Sequence, residues 1–291
     1  LQEAKPSVVF CSHQRALKAA TIFSAATDLN IPTVTVIYSW DNLPKARMAL
    51  RADNYLVWSD YMKKELNLYY PEIDKAKIHV TGTPQFEFYE DSSNIIDKEN
   101  FYEQYNLDLH KKIICFSGDD QKTSPDDPSY LRDIAEEIIK ADLQNKYQIL
   151  FRRCPVDFSG RYDQVVKEFN GLIKEAPPLW YFSKPKERNS IYPTMDDVKL
   201  LVSSAFYSDI VVNVGSTMAF DFGMFNKPCV FINYDQNNKK HTEWSVNTIY
   251  QFQHFRSMPD SSAVIWLNSK EEIIDKIVHR KDWDSIEKLK Q

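Results

Sequence analysis

Glycine is scarce in this chain, with 6 residues among 291. Ordinary usage is about 7%, so each glycine marks a place where the backbone or a neighbour needs it. Gly82, Gly118 and Gly215 each follow an apolar run, the position of a sharp turn or a close ligand approach. Cysteine is also sparse. Cys11, Cys115, Cys154 and Cys229 form no CxxC pair, and three of them lie in or beside apolar runs. That excludes a disulfide framework and points to reduced, buried thiols in a cytoplasmic protein. The 6 histidines show no HxxxH spacing, so no metal site is expected. No apolar run approaches ~18 residues, which excludes a spanning helix, and no secretory signal is visible. Positive charge is in deficit, 36 Lys and Arg against 41 Asp and Glu, a net charge of −5. That argues against nucleic acid as the main partner. The chain starts at Leu1, almost on a strand, so preceding residues and any targeting signal in them are expected to be missing.

What is present suits a globular α/β protein: 43% hydrophobic and 26% charged residues, enough to bury a core. At about 100–200 residues per domain the length suggests two domains. Apolar strand-like runs alternate with helical periodicity. Ser7–Cys11, Thr33–Tyr38, Asn54–Trp58 and Lys77–Thr81 are expected strands, with helices over about Gln14–Leu29 and Asp60–Leu68. The polar stretch from Asp91 to about His110 is the expected linker. A second set follows: strands Lys112–Phe116, Tyr147–Phe151, Ile210–Val214 and Cys229–Asn233. Asp127 is the expected N-cap of a helix with Pro128 at its first position, burying Leu131, Ile134, Ala135, Ile138 and Ile139. Thr194–Asp197 and Ser269–Glu272 have capping-box form. Continuously apolar strands between helices imply parallel sheets covered on both faces. The expectation is two Rossmann-like domains, 1–95 and 96–291, the first of them incomplete.

The segment Ser208–Asp235 reads SDIVVNVGSTMAFDFGMFNKPCVFINYD: a strand, a Gly-Ser-Thr turn, a helix, a Lys-Pro stop and a strand. Backbone amides at Gly215, Ser216 and Thr217, with the positive end of the following helix, would form an anion site fit for a diphosphate. In open α/β sheets ligands sit beyond the carboxyl ends of strands, where this turn lies. Asp221, one turn on, is placed to meet ribose hydroxyls. A plain N-cap at Ser216, with Gly215 making the turn, explains the same residues. The spacing is neither GxGxxG nor Walker A, which disfavours dinucleotides and P-loop ATP binding.

NVGSTMAFDFGMFNKPCVFINYD resembles the donor-site segment of GT-B glycosyltransferases, especially bacterial surface-polysaccharide transferases. UDP-N-acetylglucosamine 2-epimerases and CDP-glycerol glycerophosphotransferases are similar there. YSWDNLPKA (Tyr38–Ala46) is similar to a Ser-Trp-Asp-Asn motif of such transferases, and IHVTGTPQFEFY (Ile78–Tyr89) to the strand and turn closing their N-terminal domain. Where the family often has Arg-x-His-Pro, this chain has Arg152-Arg153-Cys154-Pro155. The imidazole and any role it carries are therefore lost. The resemblance implies a GT-B fold and a longer N-terminal domain than this chain has. It also implies a cytoplasmic, metal-independent sugar transferase using a nucleotide-sugar as substrate, with no cofactor. The acceptor would be a saccharide or lipid-linked saccharide, which admits peripheral association with the inner face of the plasma membrane. Sugar-nucleotide epimerisation, glycerophosphotransfer and a non-catalytic nucleotide-sugar-binding subunit are the alternatives.

Other residues fill out this expectation. Asp41, beyond the second strand, is placed to act as general base, which would make transfer inverting; an Asx-turn explains it equally. His13, after the first strand, would contact acceptor or serve as base, or be structural. Arg152 or Arg153 would pair with phosphate, unless both merely flank a strand. Ser117, Gly118 and Asp119 offer amides to the diphosphate or form a simple connection. Asp282-Trp-Asp284 matches a metal-binding DxD pattern but lies among helix-forming residues and is expected to be a solvated face. Trp244, Tyr250, Phe252, His254 and Phe255 are either core or an acceptor groove.

Overall fold

The computed structural model describes residues 1–45, 47–183, 191–258 and 261–279. Asp282-Trp-Asp284 lies outside them. The chain forms two compact units: Leu1–Gln85 with Phe252–Ser257, and Phe86–Gln251 with Met258–Gln291. Residue 95, where the sequence places the boundary, falls within the second unit.

The first unit runs β1 (Val9–Cys11), α1 (Ala20–Asp28), β2 (Thr33–Val36), α2 (Asn42–Lys45), β3 (Asn54–Val57), α3 (Asp60–Tyr69) and β4 (Ile78–Val80). Its strands form one parallel sheet in the order β1-β2-β3-β4. Ser59 caps α3, its side chain accepting the Met62 N–H at 3.2 Å. Ile37, Tyr55, Val57, Leu66 and Ile78 pack in its core. The expected helix from Gln14 starts later. Leu17–Ala19 is a 3₁₀ turn and α1 begins at Ala20, because Gln14 is drawn into the bonds described below.

The second unit adds α4 (Lys98–Gln104), β5 (Lys112–Ser117), α5 (Asp127–Lys140), β6 (Tyr147–Arg152), α6 (Asp163–Glu168), β7 (Ile173–Glu175), β8 (Trp180–Phe182), β9 (Ile191–Pro193) and α7 (Met195–Tyr207). It continues with β10 (Ile210–Asn213), α8 (Met218–Gly223), β11 (Cys229–Ile232), α9 (Val246–Tyr250) and β12 (Ile265–Leu267). Six strands make a parallel sheet in the order β12-β11-β10-β5-β6-β7, and β8–β9 is a separate antiparallel pair. β6, β10 and β11 are buried at every position, as a sheet covered on both faces requires. On α5, Leu131, Ile134, Ala135 and Ile138 are buried, while Ile139 is exposed.

Capping departs from expectation twice. Asp127 lies inside α5, not at its cap. Its carboxylate accepts the Asp119 N–H at 2.6 Å and the Tyr162 hydroxyl at 3.0 Å. Ser269 makes no side-chain cap bond, and a 3₁₀ turn and a π-turn (Ile274–Val278) stand in place of an α-helix. The carboxylate of Glu272 accepts the Asn268 N–H instead. The aromatic group also divides. Phe252, His254 and Phe255 belong to the first unit, where His254 and Phe255 meet Trp40 edge-on at 4.9 and 5.9 Å. Tyr250 packs on Phe231 and Trp266 in the second.

Candidate functional site

After β5 the chain passes through β6 and β7 on one side of the sheet, then returns to β10, β11 and β12 on the other. β5 and β10 are therefore neighbours whose connections diverge. That is a topological switch point, where a crevice opens beyond the carboxyl ends of the strands. The register pairs Val212 with Phe116, and Ser117 with Arg152. One step further, Asn213 falls beside Ser117. The fold thus gathers Ser117, Arg152 and the Gly215–Thr217 turn at one place on the sheet.

Gly215 has φ of 66°, a left-handed conformation that a β-branched residue adopts only under strain. Asn213, fully buried, bridges the turn: its Oδ1 accepts the Ser216 N–H at 2.8 Å. Ser216 Oγ accepts the Met218 N–H at 3.4 Å, a short local turn, and α8 begins only at Met218. Of the three amides expected to be open, Ser216's is therefore engaged by protein. Those of Gly215 and Thr217 have no protein partner among the described residues. Asp221 is also placed differently from expectation. It is 4% exposed and its Oδ1 accepts the Tyr89 hydroxyl at 2.7 Å, so the carboxylate is turned onto Tyr89 and not presented to a ribose. Burial raises its pKa to about 6, against the opposing pull of Tyr89 and Arg152.

The β5–α5 loop supplies fewer donors than expected. Gly118 N–H donates to Arg152 O at 2.9 Å, and Asp119 N–H to Asp127. These amides are consumed in holding the loop. Gly118 is a glycine because of a neighbour: an added Cβ would lie 2.5 Å from the Tyr162 hydroxyl oxygen. Tyr162 belongs to a buried cage around Arg161, whose guanidinium donates to the carbonyls of Asp119, Ser124 and Pro125 and to Asp157. The sequence around Arg161 does not signal this cage, because the carbonyls that accept from it lie some 40 residues upstream, and only Asp157 is close along the chain.

Arg152 is 6% exposed; its Nη2 donates to both carboxylate oxygens of Asp197 at 3.0 and 2.9 Å. Asp197 also accepts the Leu179 N–H and the Trp180 indole N–H, both at 2.8 Å, while its own N–H reaches Thr194 Oγ1 at 3.2 Å. Thr194 is thus the expected cap, but the Asp197 side chain ties β6 and β8 to α7. Arg152 Nη1 is buried without a partner among the described residues. Arg153 is fully employed by Glu175 and Asp163. Burial pushes the Cys154 thiol up to about 11, so it is neutral at pH 7 and replaces none of an imidazole's proton traffic.

In the first unit His13 and Asp41 follow the adjacent strands β1 and β2. Asp41 Oδ1 accepts from Asn42 Nδ2 at 3.0 Å, and Lys45 is ion-paired to Oδ2. Burial would raise the Asp41 pKa, but Lys45, Ser39 and Asn42 outweigh it and hold the carboxyl below its usual range. His13 stacks on Tyr38 at 5.1 Å, and its Nδ1 accepts the Arg15 N–H at 3.2 Å. The Nδ1 lone pair is thus taken by the backbone, which leaves Nε2 as the ring atom a ligand can meet. Gln14, 1% exposed, is a residue the sequence did not single out. Its Nε2 donates to Asn42 Oδ1 at 2.8 Å and its Oε1 accepts the Tyr38 N–H at 3.0 Å. It thereby fixes the loop that carries Asp41.

No helix among the described residues is long and apolar enough to cross a membrane. The chain is similar in fold to a UDP-bound MnaA of S. aureus (TM-score 0.61, 14% identity, 99% of this chain and 71% of that one). It is similar also to UDP-GlcNAc 2-epimerase from Methanocaldococcus jannaschii (TM-score 0.58, 16% identity, 96% and 71%). A third neighbour is a wall teichoic acid polymerase TagF variant soaked with CDPG (TM-score 0.55, 14% identity, 98% and 66%). These likenesses establish the GT-B-like fold. Among curated proteins, teichoic acid poly(ribitol-phosphate) polymerase of Bacillus spizizenii is 22% identical over 165 residues, 56% of this chain. The chain spans 23% of that relative's length. Residues 41–253 match the family described as CDP-Glycerol:Poly(glycerophosphate) glycerophosphotransferase, more than half of the chain, and the chain belongs to that family of surface-polymer transferases.

Proposed function

We propose that this chain transfers a polyol phosphate from a CDP-activated donor to a hydroxyl group of a polyol-phosphate polymer. Family membership moves glycerophosphotransfer, an alternative in the sequence reading, ahead of sugar transfer. The observation that carries the reading is the switch point of the second unit: the Gly215 and Thr217 amides, which no described residue engages, follow β10, and β10 lies beside β5, which ends in Ser117 and pairs in turn with β6, which ends in Arg152. Two backbone N–H groups and one buried, underused guanidinium are a natural receptor for a diphosphate.

In this reaction the acceptor oxygen forms a bond to the donor phosphorus that carries the polyol. The anhydride P–O bond breaks and CMP departs with the electron pair. Charge grows on the departing phosphate, where amides and a guanidinium, fixed in advance, lower the barrier. Asp41 is the first unit's candidate acceptor-side residue. Held ionised by Lys45, it is a weak base, suited to orienting a hydroxyl and accepting its proton late, once the new P–O bond has made that proton acidic.

The test is phosphorus NMR of the chain incubated with CDP-glycerol and a short glycerol-phosphate oligomer. CMP release coupled to lengthening of the oligomer is expected, and Asp41→Asn should slow it at least tenfold while CDP still binds. Absence of CMP release under conditions where CDP-glycerol binds would overturn the reading in favour of a binding subunit.

A further inference from the structure

A second site of unassigned chemistry lies wholly within the first unit. It is a cavity of about 550 Å³, framed by α2, the segment Arg47–Arg51 and the end of α3. Ligand sites typically run ~300–1,000 Å³. Lys45, Arg47 and Arg51 line it, against a single acid, Glu72, and Tyr69 and Tyr70 form an apolar wall. Three cations around one cavity stand out in a chain whose net charge is −5.

The cations are presented by a rigid loop. Met48 and Leu50 are buried, while Arg47 and Arg51 are exposed on either side of them. The backbone is pinned three times: Met48 N–H to the Tyr70 hydroxyl at 2.7 Å, Ala49 N–H to Gln14 O at 2.9 Å, and Ala52 N–H to the Tyr55 hydroxyl at 2.9 Å. Arg51 lies 4.9 Å over the Tyr70 ring, and its ion pair with Glu72, 3.2 Å long, is more than half exposed on both sides. Such a solvated pair is weak and is readily exchanged for a phosphate's forked hydrogen bonds. Arg47 has no ion-pair or hydrogen-bond partner among the described residues. Lys45 lines the cavity and also holds Asp41, so the site begins one side chain away from the candidate acceptor-side carboxylate.

We propose that this cavity binds a phosphodiester of the acceptor chain, with Arg47 and Arg51 on the phosphate and the tyrosines against the polyol carbons. A polymer held there by an internal phosphate places its terminal hydroxyl towards Asp41. The proposal rests on the acceptor assigned under the proposed function, and names where that acceptor is gripped.

Calorimetry on the full chain tests it, using a synthetic glycerol-phosphate trimer, CDP, and phosphatidylglycerol vesicles as three separate probes. Binding of the trimer is expected, weakened at least tenfold in Arg47→Ala/Arg51→Ala, with a shallower dependence on salt. CDP affinity should stay within twofold, since neither arginine belongs to the second unit. Both side chains are exposed, and a thermal-unfolding check together with Arg47→Lys/Arg51→Lys, which keeps the charge, excludes a folding defect. Equal trimer affinity in the alanine variant overturns the proposal, as does binding of vesicles without binding of the trimer. Arginine-dependent trimer binding in a chain that ignores CDP would sink the transferase reading and leave this site standing.

Discussion

Asp221 shows how one buried side chain leaves a signature in stability. Its carboxyl has a pKa of about 6 in the folded chain, raised by burial, against ~3.9 when unfolded. Between those values the folded state keeps a proton that the unfolded state has released, so this residue's contribution to stability falls as pH rises from about 4 to about 6 and is constant above. That difference corresponds to at most about 3 kcal/mol. Asp221→Asn removes the titration and leaves an amide opposite the Tyr89 hydroxyl. Urea unfolding at a series of pH values should show the variant gaining on the parent chain across that window; parallel curves would mean that Asp221 titrates normally. The neighbouring glycines divide by cause. Gly215 serves the backbone, at φ of 66°, while Gly118 serves the ring of Tyr162. Both were conspicuous in a glycine-poor sequence, but only coordinates separate the two reasons, since Tyr162 lies far along the chain from Gly118.

Among the elements, the buried strands β5, β6, β10 and β11 were legible because continuous apolar runs need no partner to be recognised. The strands β7, β8, β9 and β12 were not singled out; they are strands because a neighbour or each other completes the ladder. Caps were partly legible. Thr194 caps α7 as its spacing predicts, whereas Asp127 and Ser269 lose that role because Asp127 is recruited by Asp119, Ser124 and Tyr162, and Glu272 by Asn268. The Arg152–Asp197 pair is the connection on which the β8–β9 pair depends, with Leu179 N–H and the Trp180 indole on the same carboxylate. Asp197→Ala strands a buried guanidinium and is expected to cost about 3–5 kcal/mol in unfolding free energy. Proteolysis should then begin near β8. A loss below about 1 kcal/mol would show that Arg152 finds another partner or solvent.

For the molecule as a whole, the sequence conveyed the architecture and the position of the donor turn, because strand, glycine turn, helix and Lys-Pro stop are contiguous in Ser208–Asp235. It did not convey which amides the described residues leave open. Asn213 takes one of three, and the β5–α5 loop spends its own on Arg152 and Asp127. Nor did it show that Gln14 organises the Asp41 loop through Asn42, a link spanning 28 residues. Transfer as proposed requires the Gly215 turn to grip the donor's diphosphate. Isothermal titration of CDP into the chain and into Gly215→Val, with cooperative unfolding of the variant verified first, tests this most directly. Binding that falls at least tenfold in the variant is the result predicted, and equal affinity in the two chains would contradict it.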